Sequence, residues 1–519
     1  MINSLIFNNR ILMVFVYPFL LGILTVFCFQ PFNYTFINFL ILPALFLITT
    51  HVNKKSKNIY RKKPYLVNLF FVGYFFGIGF FLTGTYWISY SLTFDESFKF
   101  LIPFVLVLLP LFLGLFFGIA IFIAGPFIKN NFISILIFCA SLSFIDYLRS
   151  KILTGFPWNL WSYSWSWFPE VIQSLNLIGL FAHNLISITI FCCPLLLIFN
   201  NKKNNFFYFS AIIILFFSNY IYGSLTINSK NDNLLKKKSS VNIKVVSPNF
   251  DLKYNLSESD VEQAIKKLVK YSEPKSEKET IFVWPEGVFT GYSFKEILKF
   301  KDIFLENFSS NHIIIFGINT NEENSLNIYN SLLVVNNKLE VIYKYNKKKL
   351  VPFGEFIFYE DFLERFGLKK ITYGYKSFKQ GGDQENFIYK NLNILPLICY
   401  EIIFPELTQN RKFNTNLIVN ISEDAWFGGS IGPHQHFAKA IFRAVESDTY
   451  VVRSANKGFS AFIDNNGKIL KVLKPNETGS IELNVPVFNN RLNNRNDLIF
   501  FILLFTYTFI FFTLRKKLK

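Results

Sequence analysis

The stretch NILPLICYE, residues 393–401, is a short apolar run that ends on a cysteine and passes at once to Tyr400 and Glu401. Branched aliphatics over this length, bounded by Asn393, predict a buried β-strand. Cys399 at its end is either a small core residue or a nucleophile. Strand ends are where α/β sheets assemble their sites, so the surrounding sequence has to decide between these two readings.

Working outward, residues 241–248, 280–286, 312–318, 330–336, 339–345, 393–399 and 416–422 read as strands. Residues 257–274, 294–309 and 435–449 have helical spacing. All lie within 230–497, a region rich in Lys, Asp, Glu and Asn, and together they predict one water-soluble, mixed α/β domain. The rest of the chain is different. Residues 11–50, 64–94, 100–128, 171–201, 204–229 and 498–514 contain no Asp, Glu, Lys or Arg. Apolar runs near about 20 residues predict membrane-spanning helices, because the hydrocarbon core is about 30 Å thick.

Eight spans are expected. Two lie in 11–50, divided by a turn at QPFNY (30–34), and the others near 66–92, 101–127, 132–147, 177–199, 206–224 and 498–514. The first is not a cleaved signal peptide, since no small-residue cleavage site follows it and another span comes directly after. The fold class is therefore a multi-span α-helical membrane bundle plus an α/β soluble domain. The expected domains are a membrane domain of seven helices at 1–228, a catalytic domain at 229–490, and an eighth helix with a basic tail at 491–519.

The loop 51–64 carries six Lys or Arg, the 200–204 loop has Lys202 and Lys203, and the RKKLK tail has four. Alternating sides over eight spans puts all three in the cytoplasm and the soluble domain on the far side. In a bacterium this is a multi-pass inner-membrane protein with a periplasmic domain. Much of the net charge of +18 thus marks topology, and with no nucleic-acid motif present, nucleic acid is not an expected partner. Of five cysteines, Cys28, Cys139, Cys192 and Cys193 fall in spans, where Cys serves as a small hydrophobe. Only Cys399 is in the soluble domain, and an unpaired thiol outside the cytoplasm needs a chemical reason.

Three strand ends carry chemistry: VWPE ends in Glu286, YKYNKKKLVPFGE carries Lys347, Lys348, Lys349 and Glu355, and LICYE carries Cys399. A carboxylate can take a thiol proton, a lysine can stabilise an oxyanion, and a cysteine can attack a carbonyl. Each alone is weak, since a lone Glu or Lys is usually solvated surface.

Taken together, WPE (284–286), N-K-x-x-LVPFGE (346–355), ICYE (398–401) and DAWFG (424–428) resemble the nitrilase superfamily. More narrowly, they resemble its membrane-embedded branch, the apolipoprotein N-acyltransferase family. The likeness extends through IGPHQHFAKAIFRAVE (431–446), VRSANKGFSAFID (452–464), GTYW (84–87) and TGFPWN (154–159). It implies an αββα sandwich between the seventh and eighth spans. It also implies a triad of Glu286 as general base, Lys347 as oxyanion stabiliser and Cys399 as nucleophile. Lys347 is the lysine eight residues before the Glu of LVPFGE. Glu355, Tyr400 and Glu401 match further residues on which the family depends. Three positions depart from the pattern: Lys349 where His is frequent, Glu423 where Asn is usual, and Tyr254 as the nearest aromatic after the first soluble strand.

The resemblance further implies transfer of an acyl chain from a membrane phospholipid, phosphatidylethanolamine by expectation, to the N-terminal amine of diacylated apolipoproteins. The reaction would pass through a thioester on Cys399 in a ping-pong scheme, completing lipoprotein maturation. The protein is expected to work as a monomer without metal or cofactor. His434 and His436, two apart with no third ligand, read as helix-start structure. FGEFIFYEDFLERFGLKKITYGY (353–375) and the Trp-rich 154–170 are expected lipid contacts, and Asp146 is expected at an interface. Two alternatives stand beside this reading. A membrane-tethered nitrilase-type amidase would use the same triad, although eight spans exceed what tethering needs. A transporter with a regulatory domain would carry polar groups at mid-membrane, and these spans have few.

Overall fold

The computed structural model describes residues 9–59, 64–200, 202–235, 240–253, 256–322, 327–360, 377–409, 415–487 and 497–517. Tyr254, most of the 353–375 segment and parts of the basic loop and the linkers lie outside these residues. The chain forms two units, one of Met1–Ser89, Phe100–Ile227 and Arg495–Lys519, the other of Tyr90–Lys99 and Asn228–Asn494.

Among the described residues, seven helical stretches are long and apolar enough to cross a membrane: Thr35–Lys55, Leu66–Thr93, Glu96–Phe127, Phe132–Lys151, Leu175–Ile198, Lys202–Lys230 and Leu498–Arg515. The remaining expected span, the first in the chain, corresponds to Leu12–Cys28, which is apolar but shorter. Helix–helix contact here depends on missing side chains. A Cβ on Gly22 would lie 2.1 Å from the Phe76 carbonyl oxygen, and one on Gly79 would lie 2.2 Å from that of Phe19. Glycines on both helices therefore let the backbones meet, the usual packing solution where lipid removes the hydrophobic drive.

Asp146 is buried within this unit and pairs with Arg149 at 2.9 Å, while Asn184 donates to its other oxygen at 3.1 Å. Arg149 also donates to the carbonyls of Phe156 and Trp158, and the Ser162 N–H donates to Asn184. An ion pair removed from water needs further hydrogen bonds to hold it, and here those of Arg149 and Asn184 clamp the FPWN loop onto two helices. One expectation for this unit is corrected: the 154–170 segment is not broadly presented to lipid. Trp158, Trp161 and Trp165 are fully buried, Trp161 against Phe80 and Trp165 against Phe191, and only Trp167 is exposed.

In the second unit, twelve strands make two six-stranded sheets. We number them β1 (Ser240–Ser247), β2 (Thr280–Val283), β3 (His312–Asn321), β4 (Ile328–Val335), β5 (Val341–Asn346), β6 (Phe387–Tyr389), β7 (Leu392–Ile398), β8 (Leu417–Glu423), β9 (Tyr450–Asn456), β10 (Ser460–Ile463), β11 (Ile469–Leu473) and β12 (Gly479–Pro486). The sheet orders are β12-β1-β2-β3-β4-β5 and β11-β10-β9-β8-β7-β6. β1, β2 and β3 run parallel, as do β7, β8 and β9, and the flanking strands pair antiparallel.

Alternation along each strand sends one face inward. Val245, Val283, Ile315 and Val334 of the first sheet pack with Ile394, Ile398, Val419 and Val452 of the second. The outer face of the first sheet, with Phe282, Trp284 and Phe316, is covered by Val261, Ile265 and Leu268 of helix Glu258–Ser272 and by Phe304 of helix Lys301–Asn307. The 294–309 helical pattern is thus broken by a 3₁₀ turn at Leu298–Phe300. Helix Gly432–Ser447 lies against the second sheet through β9, giving the expected αββα layering. Segment Tyr90–Lys99 joins this unit through Phe94, whose ring meets Trp426 edge-on at 5.4 Å.

Candidate active site

Glu286 sits just past the end of β2. The Trp284 N–H still bonds to the Ile315 carbonyl, so the chain stays in register with β3 as it enters Pro285. A Cβ on Gly317 of β3 would lie 2.8 Å from the Glu286 Cα, so a glycine is required for this close approach. Lys347 follows β5 and remains tied to β4, its N–H donating to the Asn330 carbonyl at 2.9 Å.

Glu355 is presented by the tight LVPFG turn. Its N–H donates to the Val351 carbonyl and its Oε2 accepts the Val351 N–H, both at 2.8 Å. Cys399 follows β7 with φ of +49°, a left-handed conformation that costs a non-glycine residue about 1 kcal/mol or more. It opens the 3₁₀ turn Cys399–Ile403.

These elements bring the charges together. The Lys347 ammonium lies 2.9 Å from Glu355 Oε1 and 3.4 Å from Glu286 Oε1, and its side chain is 1 % exposed. Asn330 donates to the same two oxygens, at 2.7 Å each. Glu286 Oε2 accepts the N–H of Glu423 at 3.0 Å. Burial alone would lower the lysine pKa, but Glu286 and Glu355 outweigh it and hold Lys347 above its ordinary range. It is therefore a fixed positive charge and not a base at working pH.

Burial pushes the Cys399 thiol up, the charge of Glu286 adds to this, and Lys347 opposes it. A standing thiolate is thus disfavoured, and the proton must leave as the bond to substrate forms. Cys399 is 9 % exposed, so its sulfur reaches the surface only slightly.

Glu401 is fully buried and shapes the elbow. Its Oε1 accepts the Tyr345 hydroxyl at 2.9 Å and the N–H groups of Lys348 and Lys349 at 2.6 and 3.1 Å. Its Oε2 accepts the Ile398 N–H at 2.8 Å. One carboxylate therefore fixes the chain just before Cys399 to the chain just after Lys347. Tyr400 packs edge-on against Phe404, with ring centroids 5.0 Å apart.

Several site residues gain their roles only from the fold, although Asp424, Arg453 and His436 lie inside the quoted motifs. Asn330 lay inside an expected strand. Asp424 and Arg453 form a buried ion pair at 2.8 Å. Burial opposes ionisation of Asp424, but Arg453 and His436 outweigh it and hold its carboxyl well below the usual range. His436 lies in the first turn of its helix, as expected for helix-start structure, yet its Nε2 also meets the Cys399 carbonyl at 3.2 Å. His434 instead meets the Phe459 ring, so the two histidines serve different partners. Lys349 pairs with Glu406 at 3.4 Å and lies over the Phe404 ring. Among the described residues no group of three or more His, Cys, Asp or Glu is arranged to hold a metal.

Residues 21–193 match the family described as apolipoprotein N-acyltransferase N-terminal domain, and residues 250–487 match carbon-nitrogen hydrolase. The apolipoprotein N-acyltransferase of Rickettsia prowazekii is 30% identical over 478 residues, covering 90% of this chain and 91% of that protein. The protein of the same name from Rhizobium leguminosarum is 30% identical over 430 residues, covering 81% and 80%. A solved CN-hydrolase superfamily protein from Xanthomonas campestris is 15% identical, covering 48% of this chain and 91% of its own, with a TM-score of 0.35.

Proposed function

The chain belongs to the apolipoprotein N-acyltransferase family and N-acylates lipoproteins, and on that premise we propose that it does so through an acyl thioester on Cys399. The supporting observation is the cluster itself: a cysteine on a left-handed strand end, within electrostatic reach of Glu286 and of a lysine held between two glutamates. In this reading Glu286, Lys347 and Cys399 are the catalytic residues, and Glu355, Tyr400 and Glu401 position them. Residues 229–490 form the catalytic domain, on the periplasmic side of the inner membrane, and the protein works as a monomer.

The acyl donor is a phospholipid such as phosphatidylethanolamine. As Sγ attacks the ester carbonyl, the S–H proton passes to Glu286 and the carbonyl oxygen becomes an oxyanion facing Lys347. Removing one such stabilising donor typically lowers the rate roughly 10²–10³-fold. The ester C–O bond then breaks, Glu286 returns its proton to the departing lysophospholipid oxygen, and the acyl group stays on sulfur. The amine of the diacylated lipoprotein attacks next, Glu286 takes its proton, and as the C–S bond breaks Glu286 passes that proton to the sulfur, restoring the thiol and the carboxylate. Glu355 keeps Lys347 oriented through both halves.

The described end of the aromatic segment favours a lipid donor. Phe353 is 54% and Tyr359 85% exposed, a few residues from Glu355. Such rings suit acyl chains better than water.

The test is a product analysis of the full-length protein in phosphatidylethanolamine vesicles with a diacylated lipopeptide. The expected products are lysophospholipid and triacylated peptide in equal amounts, both lost in Cys399→Ala. Free fatty acid with unmodified peptide would instead mark a hydrolase of the amidase type.

A further inference from the structure

Glu423, the departure just before DAWFG, ends β8 as a buried carboxyl beside the proposed base. Its Oε1 accepts the Ala425 N–H and the Asn456 amide, each at 3.0 Å, while its Oε2 accepts only the Asn456 amide at 2.9 Å. That amide cannot turn to accept in return, because the Phe250 N–H donates to its Oδ1 and its Nδ2 also donates to the Phe250 carbonyl.

Among the described residues no cation pairs with Glu423. The cations nearby are already engaged: Lys347 by Glu286 and Glu355, Arg453 by Asp424. Glu286 from the end of β2 and Asp424 from its own turn, both negative, bear on Glu423. A further buried carboxylate here would face two like charges with only neutral donors to offset them. Oε2, the less occupied oxygen, has room for a proton and lies against Gly287, where an added Cβ would approach it to 3.0 Å. In keeping with this, burial lifts the Glu423 carboxyl well above its ordinary range and the charges of Glu286 and Asp424 add to the shift, against the Ala425 and Asn456 hydrogen bonds.

We propose that Glu423 is a positioning residue held as the neutral acid, which gives its backbone N–H to Glu286 and keeps a second negative charge away from the base while Cys399 is acylated. The proposal rests on the reading of Glu286 as that base. When Glu423 loses its proton, the added charge opposes the developing thiolate and acylation slows. Alkaline pH therefore switches off the first half-reaction through a group that touches no substrate.

Two readouts on the full-length protein test this. The first is the infrared band of a protonated carboxyl at neutral pH, which wild type shows and Glu423→Gln lacks. The second is the pH dependence of acyl-Cys399 formation from phosphatidylethanolamine vesicles. Wild type loses about tenfold per pH unit above the Glu423 titration, and this limb disappears in Glu423→Gln. Should that variant fail to fold, Asn456→Ala removes a donor that favours the carboxylate, and the limb moves up by about one pH unit. An unchanged band in Glu423→Gln, or an alkaline limb that neither variant moves, overturns the proposal. If no acyl-enzyme forms at any pH, the Cys399 reading fails by itself and the infrared band still decides the protonation of Glu423.

Discussion

Asn330 carries two glutamates on one amide nitrogen, at 2.7 Å from Glu286 and 2.7 Å from Glu355. Two carboxylates this close repel, and the Lys347 ammonium and the Asn330 amide together hold them in place. Hydrogen bonds to charged groups contribute about 1.5–3 kcal/mol each, so losing the amide should matter even with Lys347 intact. Asn330→Ala is expected to slow single-turnover acylation of Cys399 by roughly 10- to 100-fold while leaving the lipid concentration for half-saturation near its original value. An unchanged acylation rate would mean that Lys347 alone orders the pair.

At the scale of elements, β1 to β5, β7 and β8 were legible because each is a short run rich in branched or aromatic residues. β9 was not, since Arg453 and Asn456 interrupt its apolar pattern. Those residues are buried because Asp424 and Glu423, on neighbouring β8 and its turn, supply their partners. No local pattern reveals a polar residue whose partner is distant in sequence. β11 was missed for the opposite reason, being largely solvent-accessible, and β12 because Glu482 and Asn484 alternate with its inward Ile481, Leu483 and Val485 while most of the strand is only half-buried. The triad residues were found through motifs and not through geometry, because 61 positions separate Glu286 from Lys347 and only the sheet order brings them together. The partners of Asp146 were likewise not legible, since Asn184 lies 38 positions away on another helix.

For the whole molecule, the basic loops and the parity of eight apolar segments argue for one orientation. Among the described residues seven helices have the length to span, and the first segment, Leu12–Cys28, must cross as well for the parity to hold. Lys266 is exposed on helix Glu258–Ser272 and Lys203 is exposed at the start of the Lys202–Leu235 helix. In cells with the outer envelope opened, Lys266→Cys should react with a membrane-impermeant thiol reagent and Lys203→Cys should not. The reverse pattern would place the catalytic domain in the cytoplasm, away from lipoproteins awaiting their last acyl chain.

The central claim concerns a single covalent bond. Peptide mass spectrometry of the full-length protein, after incubation with phosphatidylethanolamine and no acceptor, reads it directly. The account predicts that the peptide containing Cys399 gains the mass of one acyl chain, removable by hydroxylamine and absent in Glu286→Gln. A peptide that stays unmodified while triacylated lipoprotein is still produced would contradict it.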